Sequence, residues 1–196
     1  MPYESKSRKD MEMQTLFQEE RLYQHSKMVS QVSGAIARSA GYTSKEVALI
    51  QDAAWLHDIG KNAIPISILQ KPTLLSCEEF AIVKAHTQEG FAYLIQQTKK
   101  YLTAAIVALQ HHEKPTGNGY AAVTHIHSYA RLVAIADVFD ALFSARSYKD
   151  RWSLDDVIGY MRSNVHKEFD AAYLDAFLRA LDEILELYKQ ELLSEK

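Results

Sequence analysis

Residues 43–61 read TSKEVALIQDAAWLHDIGK. Thr43 and Glu46 have the spacing of a capping box, in which each side chain satisfies a backbone N–H of the other residue. Behind them Val47, Ile50 and Ala54 recur at helical steps, so one face is apolar, and the stripe runs on to His57 with Gly60 near the helix end. That apolar face delivers His57, Asp58 and Lys61 toward an interior. Ionisable groups placed there need compensating partners.

The same construction recurs along the chain. Leu22, His25, Val29, Val32 and Ile36 form an apolar stripe that includes a histidine, with Gly41 as its stop. Ser76 and Glu79 repeat the capping box and open a helix carrying Val83 and His86 on one face. The run AAIVALQHHE ends with His111 behind Ala104 and Val107, and His112 behind Ala105 and Leu109, before a loop at residues 114–119. A further helix has the stripe Leu132, Ile135, Phe139 and Leu142, while Asp137 shares a strip of small residues with Val133, Ala134 and Ala141. Asp155 and Asp156 help start the next helix. Asp170 is the N-cap of a last one whose buried face is Leu174, Phe177, Leu181 and Leu185. No sustained period-two pattern or internal repeat interrupts this, so the expected class is all-α. Residues 1–15 read as a frayed N-terminal extension and 16–190 as one helical domain.

The 196 residues, 47% hydrophobic with 7 Gly and 4 Pro, suffice for a real core. A net charge of −3 gives no general reason to bind DNA or RNA. Cys77 is the single cysteine, which excludes an intrachain disulfide and a multi-thiolate metal site. No apolar run approaches the ~20 residues of a membrane span, and the expectation is a soluble cytoplasmic protein without membrane contact.

One inward histidine is commonly satisfied by a backbone carbonyl. Here His25, His57, Asp58, His86, His111, His112 and Asp137 all fall at inward positions or helix ends. A metal centre answers that pattern, because neutral imidazoles donate lone pairs and the two carboxylates offset cationic charge. Seven N/O ligands exceed one tetrahedral zinc site and suit two divalent ions. The ligand types put iron or manganese first, with zinc, nickel and magnesium left open. Two ions roughly 3.5–4 Å apart, bridged by a carboxylate such as Asp58 and by solvent, suit phosphodiester hydrolysis. Lys61 is then placed to hold a non-bridging phosphate oxygen.

The ordered motifs resemble the HD-GYP branch of the HD-domain phosphohydrolases. They are HS at His25, LHDIGK at 56–61, IPISILQKPTLL after it, KAHTQEG around His86, HHE at 111–113, GNGY at 117–120, VAIADVFDAL around Asp137, SARSYK at 144–149 and EFD at 168–170. The resemblance spans about residues 20–185. It implies an all-α HD-superfamily fold and hydrolysis of the bacterial messenger cyclic di-GMP to linear pGpG, and in some members to GMP, by a hydroxide bridging two metals. By family position His25, His57, Asp58, His86, His111, His112 and Asp137 match metal ligands, with Asp58 the bridging one. Lys61 matches a lysine that assists at phosphate, and Tyr120, Arg146 and Lys149 match substrate-side residues. The resemblance leaves room for a regulatory protein partner and a homodimer.

Three departures qualify that match. The signature Gly-Tyr-Pro is Gly119-Tyr120-Ala121, Thr116 stands where the loop usually has Asp, and the segment 120–130 is a few residues short. Losing proline removes a fixed φ, so less preorganisation of this loop is expected. Arg21 occupies the position of a glutamate found in members with a third metal, so two metals are expected. The loop changes also motivate two alternatives: a cyclic-dinucleotide-binding or partner-binding module with weak catalysis, and an HD phosphohydrolase acting on another nucleotide. His125, His127 and His166 match nothing in the pattern and are expected to be surface or satisfied histidines. Glu113 is expected to orient a ligand or end its helix rather than bind metal.

Overall fold

The computed structural model describes residues 17, 19–97, 99–144 and 152–194. Ten α-helices account for most of them: α1 (Glu20–Ser39), α2 (Ser44–Trp55), the single turn α3 (Ile66–Leu69), α4 (Cys77–Lys84), α5 (His86–Gln97), α6 (Leu102–Gln110), α7 (Ser128–Phe143), α8 (Leu154–Ser163), α9 (Ala171–Arg179) and α10 (Leu181–Ser194). Among the described residues no strand forms, only an isolated bridge between Val165 and Phe169. The expected all-α class is observed. No helix among those residues is long and apolar enough to cross a membrane.

The helix punctuation follows the sequence closely. Thr43 and Ser76 both complete reciprocal capping boxes, with Glu46 and Glu79 respectively. Ser153 caps α8, with Asp155 and Asp156 in its first turn, and Asp170 caps α9 by accepting the Ala172 N–H. Each such cap stabilises its helix by about 1 kcal/mol. α1 stops at Gly41 in a Schellman arrangement, the Tyr42 N–H reaching Ala37 O and the Gly41 N–H reaching Arg38 O.

α1 is the central element. Its stripe Val29, Val32 and Ile36 is fully buried against α2, α7, α9 and α10. Ile50 and Ala54 of α2, Val107 of α6, Leu132, Ile135 and Phe139 of α7, Phe177 of α9 and Ile184 of α10 complete the core. Burying a side chain such as Phe139 contributes about 2–3 kcal/mol.

Three expectations need correction. α2 ends at Trp55, and the chain passes through a turn at His57 and Asp58 into a 3-10 segment, Ile59–Ala63. His57 Nδ1 lies 2.6 Å from Ala54 O, the carbonyl that a continuing helix would have used for Asp58 N–H. Similarly, the helix expected to carry both Val83 and His86 ends at Lys84, and His86 opens α5, its Nδ1 2.6 Å from Val83 O. The single last helix expected after Asp170 is two, α9 and α10, divided at Ala180. That break resets the helical phase, so Ile184 takes the buried position while Leu181 and Leu185 are only half-buried.

Gly60 positions the second half of the site. A Cβ there would lie 1.9 Å from His86 O and 2.5 Å from Gly90 N. Only a glycine lets α5 pack this closely on the 3-10 segment, which brings His86 beside Asp58.

Candidate metal centre

All seven sequence-derived ligand candidates converge. His25 comes from α1, His57 and Asp58 from the turn after α2, His86 from the start of α5, His111 and His112 from the end of α6, and Asp137 from α7. Asp58 stands at the centre and is almost fully buried. Its Oδ2 lies 3.4 Å from His57 Nε2 and 3.7 Å from His25 Nε2. Its Oδ1 lies 3.3 Å from His86 Nε2 and 3.7 Å from His111 Nε2. The two oxygens of one carboxylate thus face two different groups of imidazoles. Asp137 Oδ1 closes the first group, 3.1 Å from His25 Nε2 and 3.8 Å from His57 Nε2.

Three overlapping triads have donor atoms that all lie within 4.8 Å of one another: His25, His57 and Asp58; His57, His111 and Asp137; and His86, His111 and His112. The histidines are aimed by their own helix ends. His57 and His86 each direct Nδ1 at the carbonyl three residues back, and His111 directs its Nδ1 at Ala108 O and Val107 O, 3.0 and 3.2 Å away. A carbonyl oxygen can only accept, so Nδ1 donates there and Nε2 is the ring nitrogen turned to the centre. His25 is aimed differently, with Nδ1 2.6 Å from Asp140 Oδ2.

Electrostatics match a cation-binding role. Burial, reinforced by neighbouring imidazoles, holds His111 well below the ordinary histidine range, and burial takes His112 down to about 4. Burial also lowers His86. These rings are neutral and ligand-competent at pH 7. Burial works against ionisation of Asp58, but Lys61 and His57 outweigh it and hold the carboxyl well below its usual range. Asp137 is likewise held down, its burial outweighed by His25 and His57. His57 Nε2 and Asp58 Oδ1 are buried with no hydrogen-bond partner. Unpartnered buried lone pairs of this kind fit a divalent cation.

Lys61 Nζ donates to Asp58 Oδ2 across the first turn of the 3-10 segment. Tyr120 covers the other side, its ring centroid 4.5 Å from that of His112. Phe80 and Lys84 of α4 also meet the Tyr120 ring, at 6.1 and 5.9 Å. Arg146 and Lys149 lie outside the described residues. His125 is exposed and His127 caps α7 by accepting the Tyr129 N–H, and neither belongs to the three triads.

Asp140 is a site residue whose role the motifs did not assign, and Glu113, expected to orient a ligand or end its helix, does neither with its carboxylate. Asp140 is buried, takes His25 on one oxygen and accepts from Ser144 and Tyr188 on the other, at 2.8 and 2.7 Å. The available signal was an acid on the apolar α7 between Phe139 and Ala141, one turn beyond Asp137. Glu113 turns from the histidine pair to the backbone of the Tyr120 loop.

With this geometry in place, the profile of the HD domain family matches residues 10–173. The chain belongs to the HD domain family. It is 41% identical over 155 residues to the cyclic di-GMP phosphodiesterase response regulator RpfG of Xanthomonas campestris pv. campestris, covering 77% of this chain and 41% of that protein. It is 34% identical over 165 residues to the 3'3'-cGAMP-specific phosphodiesterase 2 of Vibrio cholerae, covering 82% of this chain and 32% of that one. The HD domain chain therefore spans less than half the length of either relative. Bd1817, an HDG"Y"P protein from Bdellovibrio bacteriovorus, superposes with a TM-score of 0.68 at 24% identity, covering 82% of this chain and 52% of that one. The HD-GYP resemblance read from the motifs holds for the chain.

Proposed function

We propose that this chain is a metal-dependent phosphodiesterase that hydrolyses cyclic di-GMP to linear pGpG. The observation that carries the reading is Asp58, whose two oxygens face separate imidazole groups at 3.3–3.7 Å, as a carboxylate bridging two cations would. His25, His57 and Asp137 would hold one divalent ion and His86, His111 and His112 the other, with Asp58 shared. Iron or manganese fits this N/O set best. Such ions would neutralise phosphoryl oxygens and lower the pKa of solvent held between them.

The chain's own groups do the rest. The Nδ1–carbonyl bonds keep the imidazoles of His57, His86 and His111 from rotating or changing tautomer. Lys61, released from Asp58 by a bound cation, would reach a non-bridging phosphate oxygen and stabilise charge that grows there in the transition state. Tyr120 would stack on or orient the dinucleotide above His112, with Arg146 and Lys149 as further phosphate-binding residues.

Protein purified anaerobically and loaded with Fe(II) or Mn(II) should convert cyclic di-GMP to pGpG, followed by chromatography of the products, with GMP sought as a later product. Activity that survives both His57→Ala and Asp58→Ala refutes the assignment. Ala121 in place of the motif proline, together with a relative named as 3'3'-cGAMP-specific, supports a second reading in which another cyclic dinucleotide is the preferred substrate. A panel of cyclic dinucleotides ranked by kcat/KM separates the two. Tight binding of cyclic di-GMP with no product over long incubation would instead favour a binding module.

A further inference from the structure

Glu113 directly follows the His111–His112 pair and is buried, with 4% of its surface exposed. Its Oε1 accepts the Ala121 N–H at 2.7 Å and its Oε2 accepts the Val123 N–H at 3.2 Å. Between these donors Ala122 has φ 51°, in the left-handed region that residues with a Cβ seldom occupy. That conformation points alternate amides at one anion, the arrangement of a backbone nest. On the approach side, a Cβ at Gly119 would lie 2.3 Å from Oε1 and 2.4 Å from Cδ of the same carboxylate. The segment from Gly119 to Val123 is wrapped around Glu113. Tyr120 sits within the wrap, its ring over His112.

We propose that Glu113 is the positioning residue for Tyr120: its carboxylate clamps the 119–123 backbone so that one helix end supplies two site histidines and fixes the loop that covers them. The alanine at 121 belongs to this device. Proline has no N–H and could not make the 2.7 Å bond, so the residue that departs from the Gly-Tyr-Pro signature supplies one of the two donors. Rigidity that a ring would confer through φ is here conferred by a charge-assisted hydrogen bond. The strain at Ala122 persists because both flanking amides are held.

Amide hydrogen exchange read residue by residue decides the clamp, and steady-state kinetics decide its purpose. In Glu113→Ala, exchange at Ala121 and Val123 should accelerate by at least about tenfold. Mn(II) affinity should stay at the wild-type value, and KM for cyclic di-GMP should rise more than kcat falls. Glu113→Gln keeps the size and one acceptor, so it should fall between, and it carries the test should the alanine variant not fold. In an Ala121→Pro background one bond is already absent, so Glu113→Ala should change KM by a smaller factor. Unchanged exchange at both amides overturns the clamp. Accelerated exchange with an unchanged KM overturns the positioning of Tyr120. The kinetic arm rests on the phosphodiesterase reading; if the wild type turns over no cyclic dinucleotide, that reading fails while the exchange data still judge the clamp.

Discussion

Asp140 Oδ2 lies 2.6 Å from Nδ1 of His25, and the other Asp140 oxygen is held by Tyr188 of α10. This makes a chain of contacts from the last helix, through a buried carboxylate, to the imidazole that faces Asp58 and Asp137. A carboxylate behind a ligating histidine fixes its tautomer and raises its basicity. Burial opposes ionisation of Asp140, yet His25, Tyr188 and Ser144 hold its carboxyl below the usual range.

Asp140→Asn should therefore weaken divalent metal binding by about 10- to 100-fold with the helical content intact. Tyr188→Phe, which leaves the carboxylate in place, should weaken it by less. Titration calorimetry with Mn(II) reads both, and equal affinity in Asp140→Asn and the wild type would remove Asp140 from the site.

Metal binding should release a proton. In the metal-free protein burial works against charging His25, but hydrogen bonds to Asp137 and Asp140 outweigh it and raise the ring from 6.5 to about 9. At pH 7.5 His25 is an imidazolium, and Nε2 must lose its proton to donate a lone pair. His112, near 4, has none to lose. Calorimetry in buffers of different ionisation enthalpy should report about one proton more released at pH 7.5 than well above pH 9, any release common to both coming from metal-bound solvent.

The same shift sets the pH dependence of the metal-free fold. Because the folded value lies above the unfolded one, the His25 contribution is complete below pH 6.5 and is lost as pH rises through about 9. It amounts to roughly 3 kcal/mol at most. Thermal melts of metal-free protein should fall across that window, and bound metal should flatten the slope. A slope that persists unchanged in His25→Asn would assign it to another group.

Gly60→Ala should disable the site from outside it. The added methyl would collide with His86 O and Gly90 N, both backbone atoms that cannot rotate away. Either α5 lifts from the 3-10 segment, carrying His86 off Asp58, or the fold loses about 3 kcal/mol or more. A lowered Tm with reduced Mn(II) affinity is the expected pair of readings.

What the sequence disclosed here was the inward direction of charged groups. His25 and Asp137 were legible because helical spacing puts them beside Val29 and Val133, and the caps at Thr43, Ser76 and Asp170 were legible because capping is local chemistry. The helix ends at His57 and His86 were not, since a ring that takes over its own helix carbonyl leaves no periodic trace. Asp140 and Glu113 act on groups 115 and 8–10 residues away, and only the packed chain shows which groups those are.

Lys61 should affect binding and turnover in opposite directions. In the metal-free chain its Nζ donates to Asp58 Oδ2, the oxygen that faces His25 and His57, so an incoming cation must displace it. Lys61→Met removes that competitor and should tighten Mn(II) binding. It also removes the only lysine or arginine paired with the central carboxylate among the described residues, and with it the proposed stabilisation of phosphoryl charge, so kcat should fall by about 10²–10³. Metal content by elemental analysis and single-turnover rates on the same sample read both effects. A variant that loses metal and activity together would show that Lys61 supports the site structurally instead.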